Sequence, residues 1–230
     1  MRQGDVVSYL EMCAEESVNL QRGMNFHLRG GHSVILMSLR LGAPYADRVE
    51  EKGRVLIYEG HDAQIRKGGQ DPKSVDQPVF NPGGGLTQNG LFFKAAEKYK
   101  EGDADAEIVK VYEKIRAGIW VYNGLFKLID AWQEMSKGRK VFKFKLELVG
   151  DQFGILSSGL ENIDHARLIP TSIKLAVWKR DRGKCVKCGS RDNLHFDHVI
   201  PYSRGGSSLV SENIQILCAR HNLEKRNRIE

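Results

Sequence analysis

The chain has 230 residues, of which 41% are hydrophobic and 28% charged, as is typical of a globular protein with one large domain or two small ones. Residues 1–10 carry charges and no long apolar run, so neither a signal peptide nor a membrane span is expected. Only four cysteines are present and three lie at metal-ligand spacing, which argues against a disulfide framework and predicts a reducing, cytoplasmic compartment.

The first two thirds of the chain predict a mostly-β module with helices. Apolar periodicity distinguishes the helices from the strands, and a turn-rich passage without periodicity interrupts them. A loop of that length in a compact domain usually carries function. The predicted elements are a helix over residues 5–20, strands over 33–38 and 54–58, a long loop over 60–89, a helix over 91–100, and strands over 108–115, 125–133 and 141–149.

Three short motifs punctuate this module. They are Pro44-Tyr45-Ala46-Asp47, Tyr58-Glu59-Gly60 and Tyr122-Asn123-Gly124. In this order they resemble the YDG family, also called SRA (SET and RING associated), whose signature has Asp where this chain has Asn123. The resemblance implies a domain that flips a modified cytosine out of the DNA duplex into a pocket.

The resemblance also implies which residues form that pocket. Tyr45 and Tyr58 would sandwich the base, and the Asp47 carboxylate would accept a hydrogen bond from the exocyclic amine of cytosine. Met37 and Ser38, which end the first predicted strand, would lie near the 5-substituent. Two alternatives remain open: the tyrosines could be ordinary sheet aromatics, and the carboxylate position could be displaced by one residue.

The amino-acid composition changes after residue 150. Residues 151–168 contain Gly, Ser and Asn with few aromatics, which predicts a connector. Pro170-Thr171 predicts the start of another helix, with Thr171 as its N-cap. The predicted organisation is a reading domain over residues 1–155, a connector over 156–170 and a second domain over 171–230. So small a second domain has little core, so a metal should contribute to its folding.

Two matched pairs in the second domain predict a zinc site. Cys185 and Cys188 are separated by two residues, and Cys218 and His221 repeat that gap. Four such ligands suit tetrahedral zinc. The alternative is that the three cysteines are buried free thiols, which would put them at ligand spacing by accident.

A second metal site is predicted between the two pairs. Asp197-His198 ends a predicted strand over residues 194–200, and Asn222 lies on a predicted helix over 217–227. Adjacent helical residues point about 100° apart, so His221 can face zinc while Asn222 faces another ion beside Asp197. A carboxylate and an amide oxygen suit Mg²⁺, and His198 is a natural general base.

With Asn213, these residues resemble the HNH endonucleases, whose fold is a β-hairpin and a helix around one catalytic metal. The resemblance implies that Asp197 and Asn222 hold Mg²⁺ or Mn²⁺, that His198 deprotonates water, and that Asn213 orients the His198 ring. His221 stands where a fourth zinc cysteine is usual, and Asn222 where the final catalytic histidine is usual. The predicted fold class is therefore α+β, with an SRA-like mostly-β domain followed by a zinc-stapled ββα-metal domain.

The charge is unevenly distributed. Residues 171–230 carry twelve Lys and Arg against six Asp and Glu, whereas the remainder is balanced, with 23 of each. This asymmetry predicts contact with a phosphate backbone, although any one basic run could be a solvated helix face. The residues expected to contact phosphate are Lys179, Arg180, Arg204, Arg220 and Lys225.

Two functions are compatible with these patterns. The first is a modification-dependent restriction endonuclease that flips 5-methylcytosine or 5-hydroxymethylcytosine and hydrolyses a nearby phosphodiester. The second is a reader in which a basic zinc module only clamps DNA. Asp197, His198 and Asn222 favour the enzyme, because a clamp does not require them. The expected partner is double-stranded DNA containing modified cytosine, and a double-strand break favours a homodimer.

Overall fold

A computed structural model describes residues 1–64, 69–149, 168–201, 204–226 and 228–229. Ten strands and four α-helices lie within these ranges, in an α+β arrangement that confirms the predicted class. The strands are β1 Val6–Ser8, β2 Met24–Asn25, β3 Ser33–Met37, β4 Arg48–Glu50, β5 Val55–Glu59, β6 Ile108–Arg116, β7 Ile119–Ser136, β8 Arg139–Leu148, β9 Leu194–His198 and β10 Ile214–Cys218. The helices are α1 Tyr9–Glu16, α2 Gln88–Glu101, α3 Thr171–Arg180 and α4 Ala219–Lys225.

The N-terminal module (described residues up to 149), called the reader module after its predicted role, is built on one large sheet. Its strand order is β2-β3-β6-β7-β8-β5-β4, with β1 paired to β7. All neighbours are antiparallel except β3 and β6. The central strand, β7, is 18 residues long because it pairs with β6 along one part and with β8 along another. The predicted strand over residues 125–133 is only its middle.

The first helix is shorter than predicted. Val6 and Val7 pair with β7, so the chain is extended there, and α1 begins only after Ser8. The Ser8 hydroxyl accepts from the Glu11 N–H at 3.2 Å, while the Glu11 carboxylate accepts from the Ser8 N–H at 2.7 Å. This reciprocal capping fixes the start of the helix. Val6 and Val7, predicted to lie on the apolar face of the helix, therefore belong to the sheet.

The C-terminal module (described residues from 168), called the nuclease module after its predicted role, forms a ββα unit. β9 and β10 are antiparallel, with His198 opposite Ile214 and Asp197 opposite Gln215, and α4 follows β10 directly. Pro170, rather than Thr171, is the N-cap of α3. Thr171 is the first helical residue, and its hydroxyl donates to the buried Glu113 carboxylate of the reader instead of capping its own helix.

The two modules share a hydrophobic core. Ile115 and Val121 of the reader sheet pack in one cluster with Val177, Phe196 and Ile214 of the nuclease module. Near the chain start, Gly4 accepts a hydrogen bond from the Phe196 N–H at 3.0 Å. A Cβ at Gly4 would lie 2.8 Å from the Phe196 carbonyl oxygen, so only glycine allows this approach.

Most of the predicted connector lies outside the described residues, so its boundaries stay a prediction. Of residues 156–170 the structure describes 168–170. Leu168 packs into the main reader core, and Ile169 packs into the shared core. None of the described helices combines the length and the apolar composition that a membrane crossing requires.

Candidate base pocket and metal centres

The reader module contains a cavity of about 1200 Å³. All five residues predicted for the base pocket line it: Met37, Ser38, Tyr45, Asp47 and Tyr58. They come from the end of β3, from the loop before β4 and from β5. In the sheet, β3 is separated from β5 by β6, β7 and β8. The sequence motifs therefore converge on one concave site, the type of site that holds small ligands.

Asp47 links the two sides of this cavity. Its Oδ1 accepts from the Glu59 N–H at 3.0 Å, and its Oδ2 accepts from the Ser38 N–H at 3.4 Å. Burial raises the pKa of Asp47 to about 7, against the backbone N–H groups of Glu59 and Ser38, which lower it. The carboxyl group is therefore poised to gain or lose its proton at physiological pH.

The two pocket tyrosines differ in their surroundings. Tyr58 is only 1% exposed, and its hydroxyl lies 3.5 Å from His61 Nε2. Tyr45 is half-buried, and its ring faces the His61 ring with centroids 6.1 Å apart and planes 29° apart. Lys73 Nζ lies 4.1 Å from the Tyr45 ring centroid, within cation–π range.

His61 is a pocket residue that sequence reasoning missed. Burial lowers its pKa to about 4, so the ring is neutral at physiological pH. Its backbone N–H donates to Asn89 Oδ1 at 2.8 Å, and its carbonyl accepts from Asn89 Nδ2 at 2.9 Å. The position directly after the Tyr58-Glu59-Gly60 motif was the available signal.

A buried ionic network supports the pocket floor. Lys143 Nζ lies 2.8 Å from Glu59, and Arg139 lies 2.7 Å from Asp62. Burial alone would raise the pKa of Asp62, but Lys73, Arg139 and Gln77 hold it below its ordinary value. The contact with Arg139 attaches Asp62, near the start of the predicted loop over residues 60–89, to β8.

If the cavity receives a flipped cytosine, its affinity for that base is expected to rise as the pH passes through about 7, because ionised Asp47 is the better acceptor for the cytosine amine. Fluorescence anisotropy with a modified duplex measures this affinity, and a plain duplex controls for binding outside the pocket. Asp47→Asn should flatten the pH profile; an unchanged profile in that variant would exclude Asp47 as its source.

The stability of the fold should change in the opposite direction, because the folded state keeps a proton that the unfolded chain releases near the ordinary pKa of Asp47. That contribution to stability is complete below about pH 4 and is lost as the pH rises towards the folded pKa of about 7.

The four predicted zinc ligands converge. Their ligand atoms all lie within 4.8 Å of one another. Cys188 Sγ is 3.8 Å from Cys218 Sγ, and His221 Nδ1 is 3.3 Å from Cys218 Sγ and 3.4 Å from Cys185 Sγ. With Zn–S bonds of about 2.3 Å, a tetrahedron requires sulfur atoms about 3.8 Å apart, so the spacing of this cluster is close to what zinc requires.

The local field favours the thiolate that zinc needs. Burial would raise the pKa of the Cys185 thiol, but N–H groups of Cys218, Cys188 and Lys187, with the His221 ring, lower it to about 6. Cys185 and Cys188 occupy the turn after α3, while Cys218 and His221 stand at the junction of β10 and α4. Zinc would therefore tie the helix α3 region to the end of the hairpin.

The His198 ring is oriented by a residue that was not predicted. His198 Nε2 lies 2.8 Å from the hydroxyl of buried Ser208. If Nε2 carries the hydrogen and donates to Ser208, Nδ1 is free to accept a proton. Burial lowers the pKa of His198, Asp197 opposes that shift and Lys225 adds to it, so the ring is neutral at physiological pH.

Asn213 does not contact the His198 ring, contrary to the expected orienting role. Its Oδ1 accepts from the Ile200 N–H at 2.7 Å, and its Nδ2 donates to the carbonyls of Ile200 and Ser207, each at 3.0 Å. All three bonds go to the backbone of the loop that follows His198. Asn213 therefore shapes that loop, and the ring contact passes to Ser208.

Lys225 does not face DNA, so the prediction that it contacts phosphate is wrong. It is 1% exposed, its Nζ lies 2.9 Å from Asp197 Oδ2, and it donates to the His198 carbonyl. Lys225 pairs with the Asp197 carboxylate in the interior because a carboxylate removed from solvent needs a counter-charge. Lys225 thereby fixes the two predicted catalytic residues relative to α4.

Arg180 is also used internally. It forms a two-point ion pair with Asp181 at 2.6 and 2.9 Å. It also donates to the Ser211 carbonyl at 2.7 Å and to the Ile214 carbonyl at 2.6 Å. Arg180 is nevertheless 44% exposed, so its predicted phosphate contact stays a prediction. Four of the five predicted phosphate contacts are exposed: Lys179, Arg180, Arg204 and Arg220.

Asp197 could offer one oxygen to a hard divalent cation. Its Oδ2 is buried and lacks a hydrogen bond of acceptable geometry among the described residues, although Lys225 is close. An oxygen in that condition retains a lone pair for a metal. Asn222 is half-buried on α4, which packs against β9, the strand that contains Asp197. That Asp197 and Asn222 hold one cation stays a prediction.

Comparisons with known proteins give one family match and several similar proteins. Residues 185–228 match the family model described as HNH endonuclease. Two Arabidopsis thaliana histone-lysine N-methyltransferase family members are similar: SUVH9 at 25% identity over 158 residues (67% of this chain, 23% of that protein) and SUVH2 at 30% over 121 residues (51% and 17%). The chain thus spans less than a quarter of either relative.

Among solved structures, the SUVH5 SRA complex with fully methylated CG DNA is 25% identical, with a TM-score of 0.46. The match covers 66% of this chain and 92% of that one.

Proposed function

We propose that the chain is a modification-dependent DNA endonuclease of the restriction type. One observation carries the proposal: a single chain holds a cavity lined by Tyr45, Asp47 and Tyr58 together with an Asp197-His198 pair framed by a Cys₃His cluster. A pocket of this kind suits an extruded base, and the framed pair suits phosphodiester hydrolysis.

The reader would select DNA by accepting a flipped 5-methylcytosine or 5-hydroxymethylcytosine. Tyr45 is the accessible stacking ring, and Tyr58 is the buried one. Asp47 would accept from the exocyclic amine, and Met37 and Ser38 would lie near the 5-substituent. Because every base has a π-face, stacking supplies affinity for any flipped base, whereas the polar groups distinguish cytosine from the other bases.

The nuclease would hydrolyse a phosphodiester beside the reader. His198 Nδ1 would take the proton of an attacking water as the water oxygen bonds to phosphorus and the bond to the leaving sugar oxygen breaks. Ser208 would hold the ring, and Lys225 would hold Asp197. Asp197 and Asn222 would carry Mg²⁺ or Mn²⁺, which supplies Lewis-acid stabilisation of the phosphate charge. Lys179, Arg204 and Arg220 would contact the backbone.

A non-catalytic clamp is the second candidate. The 2.9 Å ion pair between Asp197 and Lys225 favours it, because that carboxylate already has a counter-charge without a metal. A clamp, however, gives no reason for the Ser208 contact with the His198 ring.

The proposed nuclease also implies an assembly and a compartment. A single centre attacks one strand, so a double-strand break would need a homodimer. The thiol ligands suit a reducing cytoplasm.

Tyr45→Ala is the variant that tests the reading function. Losing one stacking face, worth about 1 to 3 kcal/mol, should lower the preference for modified over plain DNA about 5- to 150-fold. Weak, salt-sensitive binding through the basic nuclease module should survive. Tyr99→Ala, at a partly exposed tyrosine on α2, is the matched control. Binding titrations with both duplexes decide the point: an undiminished preference in Tyr45→Ala would remove the pocket from the proposal.

A further inference from the structure

A buried polar cluster joins the two modules. Glu113 of β6 and Lys174 of α3 are each 2% exposed, and Lys174 Nζ lies 2.7 Å from Glu113 Oε2. Lys174 Nζ also donates to Asn123 Oδ1 at 2.6 Å, and Asn123 Nδ2 donates to Glu113 Oε2 at 3.0 Å. Thr171 donates to the other Glu113 oxygen. We call these four residues the socket.

The socket permits one arrangement of the modules. Its ammonium, amide and hydroxyl donors meet the Glu113 and Asn123 acceptors only when the first turn of α3 sits at one place on the sheet. Apolar packing between two modules tolerates small relative shifts. A shift of α3 on the sheet would leave a buried charge of the socket without its partner. Burial would raise the pKa of Glu113, but Lys174, Thr171 and Asn123 hold it below its ordinary value, which favours the carboxylate form.

Asn123 stands where the YDG signature has Asp, and its contacts give a physical reason for that difference. As an amide it donates to Glu113 and accepts from Lys174 at the same time. An aspartate there could not donate, and it would place a second carboxylate about 3.0 Å from Glu113. The replacement of Asp by Asn at this motif is thus matched to a lysine that belongs to the nuclease module.

The socket also lies between the two functional sites. Asn123 Nδ2 is 3.8 Å from the sulfur of Met37, which lines the reader cavity. At the other end of α3, about 15 Å away for ten residues, Arg180 holds the Ser211 and Ile214 carbonyls. Ile214 pairs with His198 across the hairpin. Helix α3 thus runs from the pocket wall to the catalytic hairpin.

We propose that the socket fixes the nuclease on the reader as one rigid body, so that Lys174 is a positioning residue that sets where the cut falls relative to the modified base. The chain between residues 150 and 167 would then connect the modules without setting that distance. This inference rests on the proposed function for its cleavage readout only. The rigid attachment itself is measurable without any reaction.

The test lengthens the chain between residues 150 and 167 with an inserted Gly-Ser linker, in the parent and in the Glu113→Gln/Lys174→Met background. That double variant replaces the ion pair with neutral side chains of similar length. Lys110→Met with the same insertion is the control, because Lys110 pairs with Glu16 within the reader at 3.0 Å and does not belong to the socket. Fragment ends are mapped on a duplex with one modified cytosine, and the radius of gyration is measured by small-angle X-ray scattering.

With the socket intact, the insertion should leave the cut at the same phosphate and the radius of gyration unchanged, in the parent and in Lys110→Met. In the double variant the ends should spread and the radius should increase. The proposal would be overturned if the insertion alone spread the fragment ends or increased the radius of gyration. It would also be overturned if the double variant with the insertion kept the parental cut position and radius of gyration. Asn123→Asp with the insertion repeats the test should the double variant fold poorly. An inactive parent would count against the nuclease, while scattering would still decide the attachment.

Discussion

Replacing His198 by alanine should lower the rate of DNA cleavage about 10²- to 10⁴-fold, the usual cost of losing a positioned general base. Binding of modified DNA should not change, because the pocket lies in the other module. Zinc content should also persist, since His198 ends β9 and is not among the four clustered ligands. The measurement is single-turnover cleavage of a labelled duplex with one modified cytosine, alongside metal analysis of the purified variant.

Two further variants sharpen this result. His27→Ala, at an exposed histidine that pairs with Glu107 in the reader, should cut at the parental rate. Ser208→Ala removes the ring contact but keeps the base, so its loss should be smaller than that of His198→Ala. Parental cleavage by His198→Ala would contradict the assigned role.

Removing one zinc ligand should have the largest effect on folding. Structural zinc contributes an apparent free energy of about 10 to 16 kcal/mol in small modules, so Cys185→Ala should release the metal and unfold the nuclease module. The shared core with Ile115 and Val121 would then be exposed, and the reader should lose stability too. Metal analysis and thermal unfolding of the purified protein measure both effects.

Asp197→Asn is the matched comparison for the second metal. It keeps the size of the side chain and removes its charge, so zinc should remain bound while Mg²⁺- or Mn²⁺-dependent cleavage is lost. The change also leaves Lys225 buried without a full counter-charge, so some stability, up to about 3 to 5 kcal/mol, should be lost. Equal loss of zinc in Cys185→Ala and Asp197→Asn would indicate one shared site instead of two.

The elements with strong local patterns were predictable. Alternating and apolar runs gave β3, β5 and β8, and the paired spacings gave the Cys₃His cluster whose atoms meet in space. The pocket residues were predictable because short motifs carry them to one end of the sheet. The α+β class followed from the same patterns.

Residues whose roles depend on distant partners were not predictable. Lys225 looks like a surface cation in the sequence, and only the folded chain brings it to Asp197. The contacts of Arg180 with the Ser211 and Ile214 carbonyls likewise depend on the fold. Asn213 turns towards a loop backbone because Ile200 and Ser207 offer three bonds there. No local pattern encodes such long-range polar pairing.

The interface between the modules escaped prediction for the same reason. Thr171 has the residue type and position of an N-cap, and a first-turn threonine is usually assigned to its own helix. Its hydroxyl instead serves Glu113, which lies 58 positions earlier in the chain. Polar residues inside a predicted strand and a predicted helix, Glu113 and Lys174, were the available signal, because a buried charge requires a partner.

Digestion of one DNA sequence carrying cytosine, 5-methylcytosine, 5-hydroxymethylcytosine or glucosylated 5-hydroxymethylcytosine at a single position tests the central claim most directly. With Mg²⁺ or Mn²⁺ supplied, the protein should cut at least one modified duplex at a fixed distance from the modified base and leave the plain duplex intact. Cleavage of all four duplexes alike, or fragment ends scattered without relation to the modified base, would show that the pocket does not direct the nuclease. Binding of the modified duplexes with no cleavage under any of these conditions would show the protein to be a clamp.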